Sequence, residues 1–201
     1  MGTLIAFASA LGLSTAAGLN AYLPLLTIGI FARMGWIQLA EPLDLIAHPL
    51  VLLIIAALAV LDFVGDKVPT VDSALHAAGM IISPIAGAIV ALAAQGDLAQ
   101  INPVLLAGAG IVAAGSMQFT RSAIRPVITA ATGGTGNPVI SLAEDGAAFV
   151  ISVLAILVPV LAIILIAVLA FVLFRSFRGA WNTWRERRNR ANVYSNGNGK
   201  H

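Results

Sequence analysis

The stretch AAFVISVLAILVPVLAIILIAVLAFVLF, residues 147–174, decides the fold class of this chain. It contains no charged residue, and it carries one proline, Pro159, near its middle. A helix of about 20 mainly apolar residues is long enough to cross the hydrocarbon core of a bilayer. Because unpaired backbone groups in lipid cost several kcal/mol each, a helix is the expected structure of such a segment. The stretch therefore predicts a helical integral membrane protein.

The composition of the 201-residue chain indicates the same class. Hydrophobic residues make up 59% of the sequence and charged residues 10%, and the mean hydropathy is +0.96. Soluble domains contain about 45–50% apolar and about 25% charged residues. The chain has no cysteine, which excludes disulfides and thiolate metal sites.

Four further segments approach the length of a membrane span. They are residues 4–31, 49–64, 77–94 and 103–119. We therefore predict an all-α protein with five transmembrane helices, or six if a break at residues 19–24 or 126–138 forms a re-entrant hairpin. Pro126 is expected to end the fourth helix, because a proline inside a helix removes a backbone hydrogen bond.

Two segments of the predicted transmembrane domain, residues 1–175, resemble each other. AAGLNAYLPLL (residues 16–26) and FTRSAIRPVIT (residues 119–129) each combine small residues, a polar residue and a proline. The likeness predicts two related halves, residues 1–95 and 100–175. Duplicated halves with broken helices at matching positions point to the binding site of a transporter.

Residues 176–190 are predicted to form a basic amphipathic helix at the membrane surface, followed by a disordered tail, residues 191–201. Aromatic residues recur there at steps of three and four among arginines, which is typical of helices in the headgroup region. The arginines predict a cytoplasmic C-terminus. They also make anionic lipids, and not nucleic acid, the expected partner of the tail. The residues expected at the membrane surface are Phe177, Arg178, Trp181, Trp184, Arg185 and Arg188.

Charged side chains at the ends of two predicted spans are candidates for function, because a charge in mid-bilayer costs at least about 2.5–3.5 kcal/mol. Asp62 and Asp66 lie four residues apart and are followed by Lys67. Arg121 and Arg125 share one face of the fourth span. The two pairs either compensate each other across a packed interface or line a polar path. A third interpretation is that the side chains extend to the membrane surface.

Further acidic residues precede predicted helices. Ser141 and Glu144 match a capping box, so Glu144 and the neighbouring Asp145 are expected at the start of the fifth span. Asp72 and His76 are expected to be a helix cap and a partly exposed histidine, because a metal site would need a third ligand nearby. We predict no metal and no cofactor.

The segment ATGGTGNPVISLAEDG, residues 131–146, separates the fourth and fifth spans. Its glycines permit positive φ and close approach of the backbone. It lacks both the Gly-Lys-Ser/Thr ending of a Walker loop and the third glycine of a dinucleotide fingerprint. Free N–H groups at a helix start attract anions. Gly133, Gly134 and Asn137 are therefore expected to contribute to an anion site.

Three segments carry a resemblance to a known family. They are AAGLNAYLPLL (residues 16–26), GDKVPTVDSALHA (residues 65–77) and TRSAIRPVITAATGGTGNPVISLAEDG (residues 120–146). Together they resemble the domain of unknown function 4126 family, small multi-pass membrane proteins that are mostly bacterial. The resemblance extends to about residue 175 and implies no established activity. Asn20 stands where the family pattern leads us to expect an arginine.

The sequence predicts a small transporter or channel of the cell's inner membrane. Arginines and glycine amides favour an anion or a phosphate-bearing solute or lipid headgroup, with the carboxylates supplying proton coupling. The alternative is a non-catalytic accessory or assembly subunit of a larger membrane complex. The expected partners are the lipid bilayer and either further copies of the chain, in a homo-oligomer, or the subunits of a larger membrane complex. We do not expect an enzyme, because no HExxH or Gly-x-Ser-x-Gly motif is present. The residues expected to bind the substrate or ion are Asn20, Asp62, Asp66, Lys67, Arg121, Arg125, Gly133, Gly134, Asn137, Glu144 and Asp145.

Overall fold

The computed structural model of the chain describes residues 2–39, 41–65, 69–94 and 101–172, together with 175 and 178. The side chains of residues 2, 3, 69–74 and 76 fall outside this description. Contacts divide the chain into two units, Met1–Ile166 and Ala167–His201, and the packing of the first six α-helices belongs to the first unit.

Within these residues every regular element is a helix, which confirms the helical class. A five-residue 3-10 helix, Leu43–Ala47, precedes the third α-helix. The α-helices are α1 (Gly2–Leu19), α2 (Tyr22–Arg33), α3 (Pro49–Gly65), α4 (Pro69–Ala93), α5 (Pro103–Thr132), α6 (Asn137–Leu157) and α7 (Pro159–Val172).

The first helix is the centre of the packing. It contacts α4, α5 and α6, and Leu13 and Ala17 on its buried face are fully enclosed. Alanines at positions 10 and 16 are buried with them. Small side chains on this face allow neighbouring helices to approach closely, which is the main source of helix packing in lipid.

Five small residues form the closest contacts between α1, α4 and α5. A Cβ on Gly87 would lie 2.6 Å from the Gly110 carbonyl oxygen, and one on Gly18 would collide with the Ala114 carbonyl. The Ser14 hydroxyl donates to the Gly87 carbonyl at 2.9 Å. We call this set, Ser14, Gly18, Gly87, Gly110 and Ala114, the small-residue seam. In this seam Gly110 and Ala114 permit the close packing of α5 against α1 and α4.

Much of the apolar surface is not covered by protein. Large hydrophobic side chains are exposed on all seven α-helices. By length and composition α5 and α6 could cross a membrane, and only 28% and 33% of their most apolar parts are buried. The core helices of soluble proteins can meet the same length and composition criteria, but they are mostly buried.

The expectation that Pro126 ends a helix is wrong. Pro126 lies inside α5, which continues to Thr132 and is terminated by Gly133 at φ 62°. The proline costs the helix one backbone hydrogen bond, but neighbouring helices stabilise such sites. Contacts made by Arg121 and Arg125, on the turn before the proline, hold this part of α5 against its neighbours.

Pro159, by contrast, does separate two helices. The predicted span 147–174 is divided into α6 and α7 at Val158, which has φ −143° and ψ 73°. A proline disfavours the helical conformation of the residue before it. Because Pro159 follows a residue that has left the helix, it begins α7.

The start of α6 also differs from the prediction. The helix begins at Asn137 with Pro138 in its first turn, where a proline is well tolerated. Ser141 and Glu144 therefore lie inside the helix, and their interpretation as a capping box is wrong. Similarly, α4 begins at Pro69 and not near residue 77.

The predicted first span, residues 4–31, consists of two helices. The chain leaves the helical path at Asn20 and Ala21, between α1 and α2. The related segment at residues 119–129 stays helical throughout. The two segments therefore differ in backbone structure, and the duplication of residues 1–95 and 100–175 stays a prediction.

Several predicted features lie outside the described residues. They include Asp66, Lys67 and the side chains of Asp72 and His76. The proposed surface helix and tail, residues 176–201, also fall there, except for Arg178, which is helical and exposed. The membrane-surface roles of Phe177, Trp181, Trp184, Arg185 and Arg188 stay predictions.

Candidate functional site

Charged and polar side chains from the α1–α2 junction and from α3, α5 and α6 meet where α1 ends. We call this set the buried ionic cluster. Its members are mostly enclosed: Asn20 is 3% exposed, Arg125 6%, Arg121 8% and Asp145 9%, while Glu144 and Asp62 are partly buried. The cluster thus consists of Asn20, Asp62, Arg121, Arg125, Glu144 and Asp145, six of the residues that the sequence predicts to bind a substrate or ion.

Arg121 joins α5 to both α6 and α1. Its Nε donates to Glu144 Oε2 at 2.7 Å, and its NH1 group donates to the Leu19 carbonyl oxygen at 2.7 Å. That carbonyl belongs to the last residue of α1, where the helix dipole favours a positive charge. The same guanidinium group therefore stabilises the C-terminus of α1 and neutralises a carboxylate of α6.

Arg125 lies one helical turn further along α5 and shares the same carboxylate. Its NH2 group donates to Glu144 Oε2 at 2.9 Å and to the Ser141 hydroxyl at 3.1 Å. A single carboxylate oxygen of Glu144 thus accepts hydrogen bonds from two guanidinium groups. Charge-assisted hydrogen bonds of this kind are roughly twice as strong as neutral ones.

Asn20 connects the other two carboxylates. Its side-chain amide nitrogen donates to Asp145 Oδ1 at 2.9 Å and to Asp62 Oδ2 at 3.1 Å. Its amide oxygen accepts from the backbone N–H groups of Tyr22 and Leu23, at 2.9 and 3.1 Å. Asn20 therefore caps the first turn of α2 and ties that turn to α3 and α6.

Helical geometry explains why adjacent acidic residues serve different partners. Glu144 and Asp145 follow each other on α6, so their side chains point about 100° apart around the helix axis. Glu144 faces the arginines of α5, whereas Asp145 faces the junction of α1 and α2. Arg121 and Arg125 are four residues apart and lie on one face of α5, as predicted.

The cluster contains two guanidinium groups and three carboxylates. Charges removed from water interact strongly, and a buried charge without compensation is expensive. The hydrogen bonds that the guanidinium groups and the Asn20 amide donate to these carboxylates therefore stabilise the buried charges.

Other predicted site residues lie elsewhere. Gly133 and Gly134, at φ 62° and 87°, form the turn between α5 and α6. A Cβ on either glycine would meet no neighbouring atom. The Asn137 side-chain oxygen accepts from the Thr129 hydroxyl at 3.1 Å in an exposed position. The glycines serve the turn, and no described contact joins them to the cluster.

Sequence reasoning missed Gln118 and the carbonyl of Leu19. Gln118 lies one turn before Arg121 on α5 and is 1% exposed. Its spacing of three residues from Arg121 could have placed it on the same helix face. The carbonyl of Leu19 carried no signal, because only the tertiary fold shows which helix end faces an arginine.

The cluster can hold and exchange charge within an apolar bundle, but it has the marks of neither a metal centre nor a nucleophilic site. In the part of the chain that the structure describes, no three His, Cys, Asp or Glu residues are grouped as metal ligands. Guanidinium groups are planar donors that stay protonated, so the carboxylates are the groups able to exchange a proton or bind a cation.

The chain was compared with curated proteins, solved structures and family models, and only a family model matches. No curated protein and no solved structure matches the chain. The model of one family, described as "Domain of unknown function (DUF4126)", matches residues 7–179, a range that includes all six residues of the buried ionic cluster. The chain therefore belongs to the DUF4126 family.

Proposed function

We propose that the protein is a multi-pass protein of the cell's inner membrane that acts as a small transporter or channel. The exposed hydrophobic side chains on all seven α-helices support the membrane location, because water would not tolerate so much uncovered apolar surface. The arginines of the C-terminal segment support a cytoplasmic C-terminus.

The observation that carries the transport proposal is the buried ionic cluster. Ionisable residues inside membrane proteins are costly, and they commonly mark ion pathways and proton relays. The small-residue seam already packs α1 against α4 and α5, so close packing does not require the cluster. Selection for a charged pathway explains why the chain retains buried charges despite their free-energy cost, whereas packing alone does not.

We propose a proton or a monovalent cation as the species that enters the cluster. Both arginines already donate to Glu144, which leaves little guanidinium charge to attract an anion. Ionised carboxylates only accept hydrogen bonds and can take up a proton, so they are the members of the cluster suited to a positively charged species. This proposal differs from the sequence-based hypothesis of an anion or phosphate-bearing substrate, because Glu144 already accepts hydrogen bonds from both arginines.

The transport proposal is tested by electrical recording from proteoliposomes on a solid-supported membrane. Concentration jumps of Na⁺, K⁺ or protons are expected to produce a current, and jumps of chloride or phosphate are not. Asp145→Asn keeps an oxygen that can accept from Asn20 but removes the charge, so it should suppress the current. Asp44→Asn, at an exposed aspartate, is the matched control.

Two results would contradict the proposal. A current with phosphate or chloride jumps and none with cations would restore the anion hypothesis. The absence of current for every ion, from protein that elutes as a single species, would exclude transport of these ions. Co-migration of a stoichiometric partner in a native detergent extract would then favour the accessory subunit.

A further inference from the structure

A small cavity lies beside the buried ionic cluster, between the α1–α2 junction and α3, α4 and α5. Its volume is about 30 Å³, which is the space that one water molecule occupies in the liquid. Most of its apolar lining comes from α4. The polar residues of the lining are Asn20, Tyr22, Asp62, Ser83, Gln118 and Arg121.

Gln118 is the member of this lining whose contacts are incomplete. Its side chain is 1% exposed, and neither its amide nitrogen nor its amide oxygen has a hydrogen-bond partner among the described residues. A buried polar group without a partner is destabilising, so native proteins retain few of them. The amide therefore indicates an occupant of the cavity that supplies its hydrogen bonds.

The two ends of the amide set opposite requirements for this occupant. The Nε2 group only donates, so it needs an acceptor, whereas Oε1 only accepts and needs a donor. A metal cation would serve the oxygen alone, and a halide anion would serve the nitrogen alone. A neutral O–H group serves both ends, because it carries a donor and two lone pairs. Since both ends lack a partner, the conclusion is the same whichever way the amide is turned.

The size of the cavity reduces the neutral candidates to water. A space of about 30 Å³ exceeds the roughly 10–15 Å³ that a water molecule needs, and one water fills it. A buried water makes about three hydrogen bonds. The Gln118 amide offers two, and the hydroxyls of Tyr22 and Ser83 and the Asp62 carboxylate belong to the same lining.

Gly79 allows the amide to lie at the cavity wall. A Cβ on Gly79 would lie 2.7 Å from Gln118 Nε2, so any larger residue there would displace the end of the glutamine side chain. Gly79 also lines the cavity. The glycine of α4 and the glutamine of α5 are thus fitted to each other where the occupant binds.

We propose that this cavity binds one water molecule, held by both ends of the Gln118 amide and in contact with the Asp62 carboxylate. Because the cavity is the size of a single water, its occupant meets opposite walls at once. An ionised carboxylate has about four lone-pair sites, so Asp62 can accept from the water as well as from Asn20. The water then joins α5 to α3, as bridging waters do inside proteins.

The water site distinguishes Asp62 from Glu144, which is not part of the cavity lining. Glu144 accepts from two guanidinium groups, whereas Asp62 lies beside a water through which a carboxylate can exchange a proton. Asp62 is thereby the carboxylate suited to proton exchange during transport. This consequence rests on the proposed function, but the water site itself does not.

The site is tested by NMR spectroscopy of the full chain in detergent micelles, with ¹⁵N in the glutamine side chains. A bound water should give the Gln118 amide protons a cross-peak at the water frequency, with opposite signs in NOESY and ROESY spectra. Proton exchange with bulk water gives equal signs, so the sign separates the two. Gln118–Phe119 is the one Gln–Phe pair in the sequence, and labelling of this pair assigns the signals without a variant.

One residue and two variants serve as comparisons. Gln38 is exposed and outside the cavity lining, so it should give no bound-water signal in the same spectra. Gly79→Ala should abolish the signal at Gln118, because the added methyl group displaces the amide. Gly108→Ala, where a Cβ meets no atom within 4 Å, should keep it.

Absence of a bound-water signal at Gln118 in the parent protein would overturn the inference. Cross-peaks to detergent or lipid methylene protons would also overturn it, because they would identify a hydrocarbon occupant. An unchanged signal in Gly79→Ala would contradict the role of the Gln118 amide. The electrical recording separates this inference from the proposed function. A bound-water signal without any current upholds the site and contradicts the transporter, whereas a current without the signal upholds the transporter and contradicts the site.

Discussion

The small-residue seam and the buried ionic cluster both hold α5 against α1, by different physical means. In the seam, the backbones approach so closely that a Cβ on Gly18 would collide with the Ala114 carbonyl. In the cluster, the Arg121 side chain reaches across to the Leu19 carbonyl at 2.7 Å. Dispersion and one hydroxyl hydrogen bond suffice for the seam, whereas the cluster requires charges to be removed from water.

This difference supports the proposal that the cluster does more than hold the helices together. A buried ion pair often contributes no more stability than apolar residues of similar volume, although breaking one is strongly destabilising. Along the seam, the chain packs the same helices without removing charges from water. Variants that separate an effect on stability from an effect on the proposed transport are therefore the most informative.

Removal of the shared carboxylate should have the largest effect. Glu144→Gln leaves two buried guanidinium groups without their common partner and should lower the free energy of unfolding by about 3–5 kcal/mol. Chemical denaturation in detergent micelles measures the change. The matched variant replaces the triad with apolar residues, Arg121→Met, Arg125→Met and Glu144→Leu. It should recover most of the stability but carry no current, and retained current in this triple variant would show that the charges serve structure alone.

Removal of the bridging amide should have the next largest effect. Asn20→Ala removes the cap of α2 and both hydrogen bonds to Asp62 and Asp145, and it should cost about 3 kcal/mol. The control is Asn102→Ala, because Asn102 caps α5 through one exposed hydrogen bond from Val104 N–H, at 2.9 Å. That variant should cost about 1 kcal/mol. Equal losses of unfolding free energy would mean that the contacts with the carboxylates contribute no net stability.

Adding a single methyl group to the small-residue seam should already lower the stability of the protein. Gly110→Ala places a methyl group against the Gly87 carbonyl and 2.8 Å from the Ala91 Cβ, so the helices must separate, at a cost of about 2 kcal/mol. Gly108→Ala, two residues away on α5, meets no atom within 4 Å and should be neutral or stabilising by up to about 1 kcal/mol. Thermal unfolding of both variants in one detergent gives the difference, and similar Tm values would contradict the close approach of α4 and α5.

The smallest effect is expected in the turn between α5 and α6. Gly134→Ala strains a residue at φ 87° and should cost about 1 kcal/mol, without a change of current in the electrical recording. The sequence-based hypothesis that this glycine binds an anion predicts a loss of phosphate-dependent current instead. Measurement of both quantities on the same preparation distinguishes the turn from a binding site.

Proline and capping patterns in the sequence did not suffice to predict where the helices begin and end. Pro126 and Pro159 both carry the same local signal, yet α5 passes through the first and α6 ends before the second. Tertiary contacts from two arginines support the helix around Pro126, and no pattern of neighbouring residues shows such support. The capping-box interpretation of Ser141 and Glu144 was wrong for the same reason, because the glutamate has its partners on another helix.

The candidate site was predictable in its members but not in its pairing. Charges inside apolar segments stand out in a sequence, and six of the predicted residues do form the buried ionic cluster. The anion preference depended on which charges meet, and Glu144 lies 23 residues from Arg121 in the chain. Gln118 was missed because an uncharged amide in an apolar helix is unremarkable until its surroundings are known.

The sequence by itself determined the helical class, the segments long and apolar enough to approach a membrane span, and the resemblance to the family. These properties follow from composition, segment length and local motifs, which act over a few turns of helix. Only the tertiary structure decided which prolines interrupt helices, that Asn20 joins two carboxylates, and that Gln118 lines a cavity. These depend on desolvation and on contacts between residues distant in the chain, and both exist only once the helices have packed.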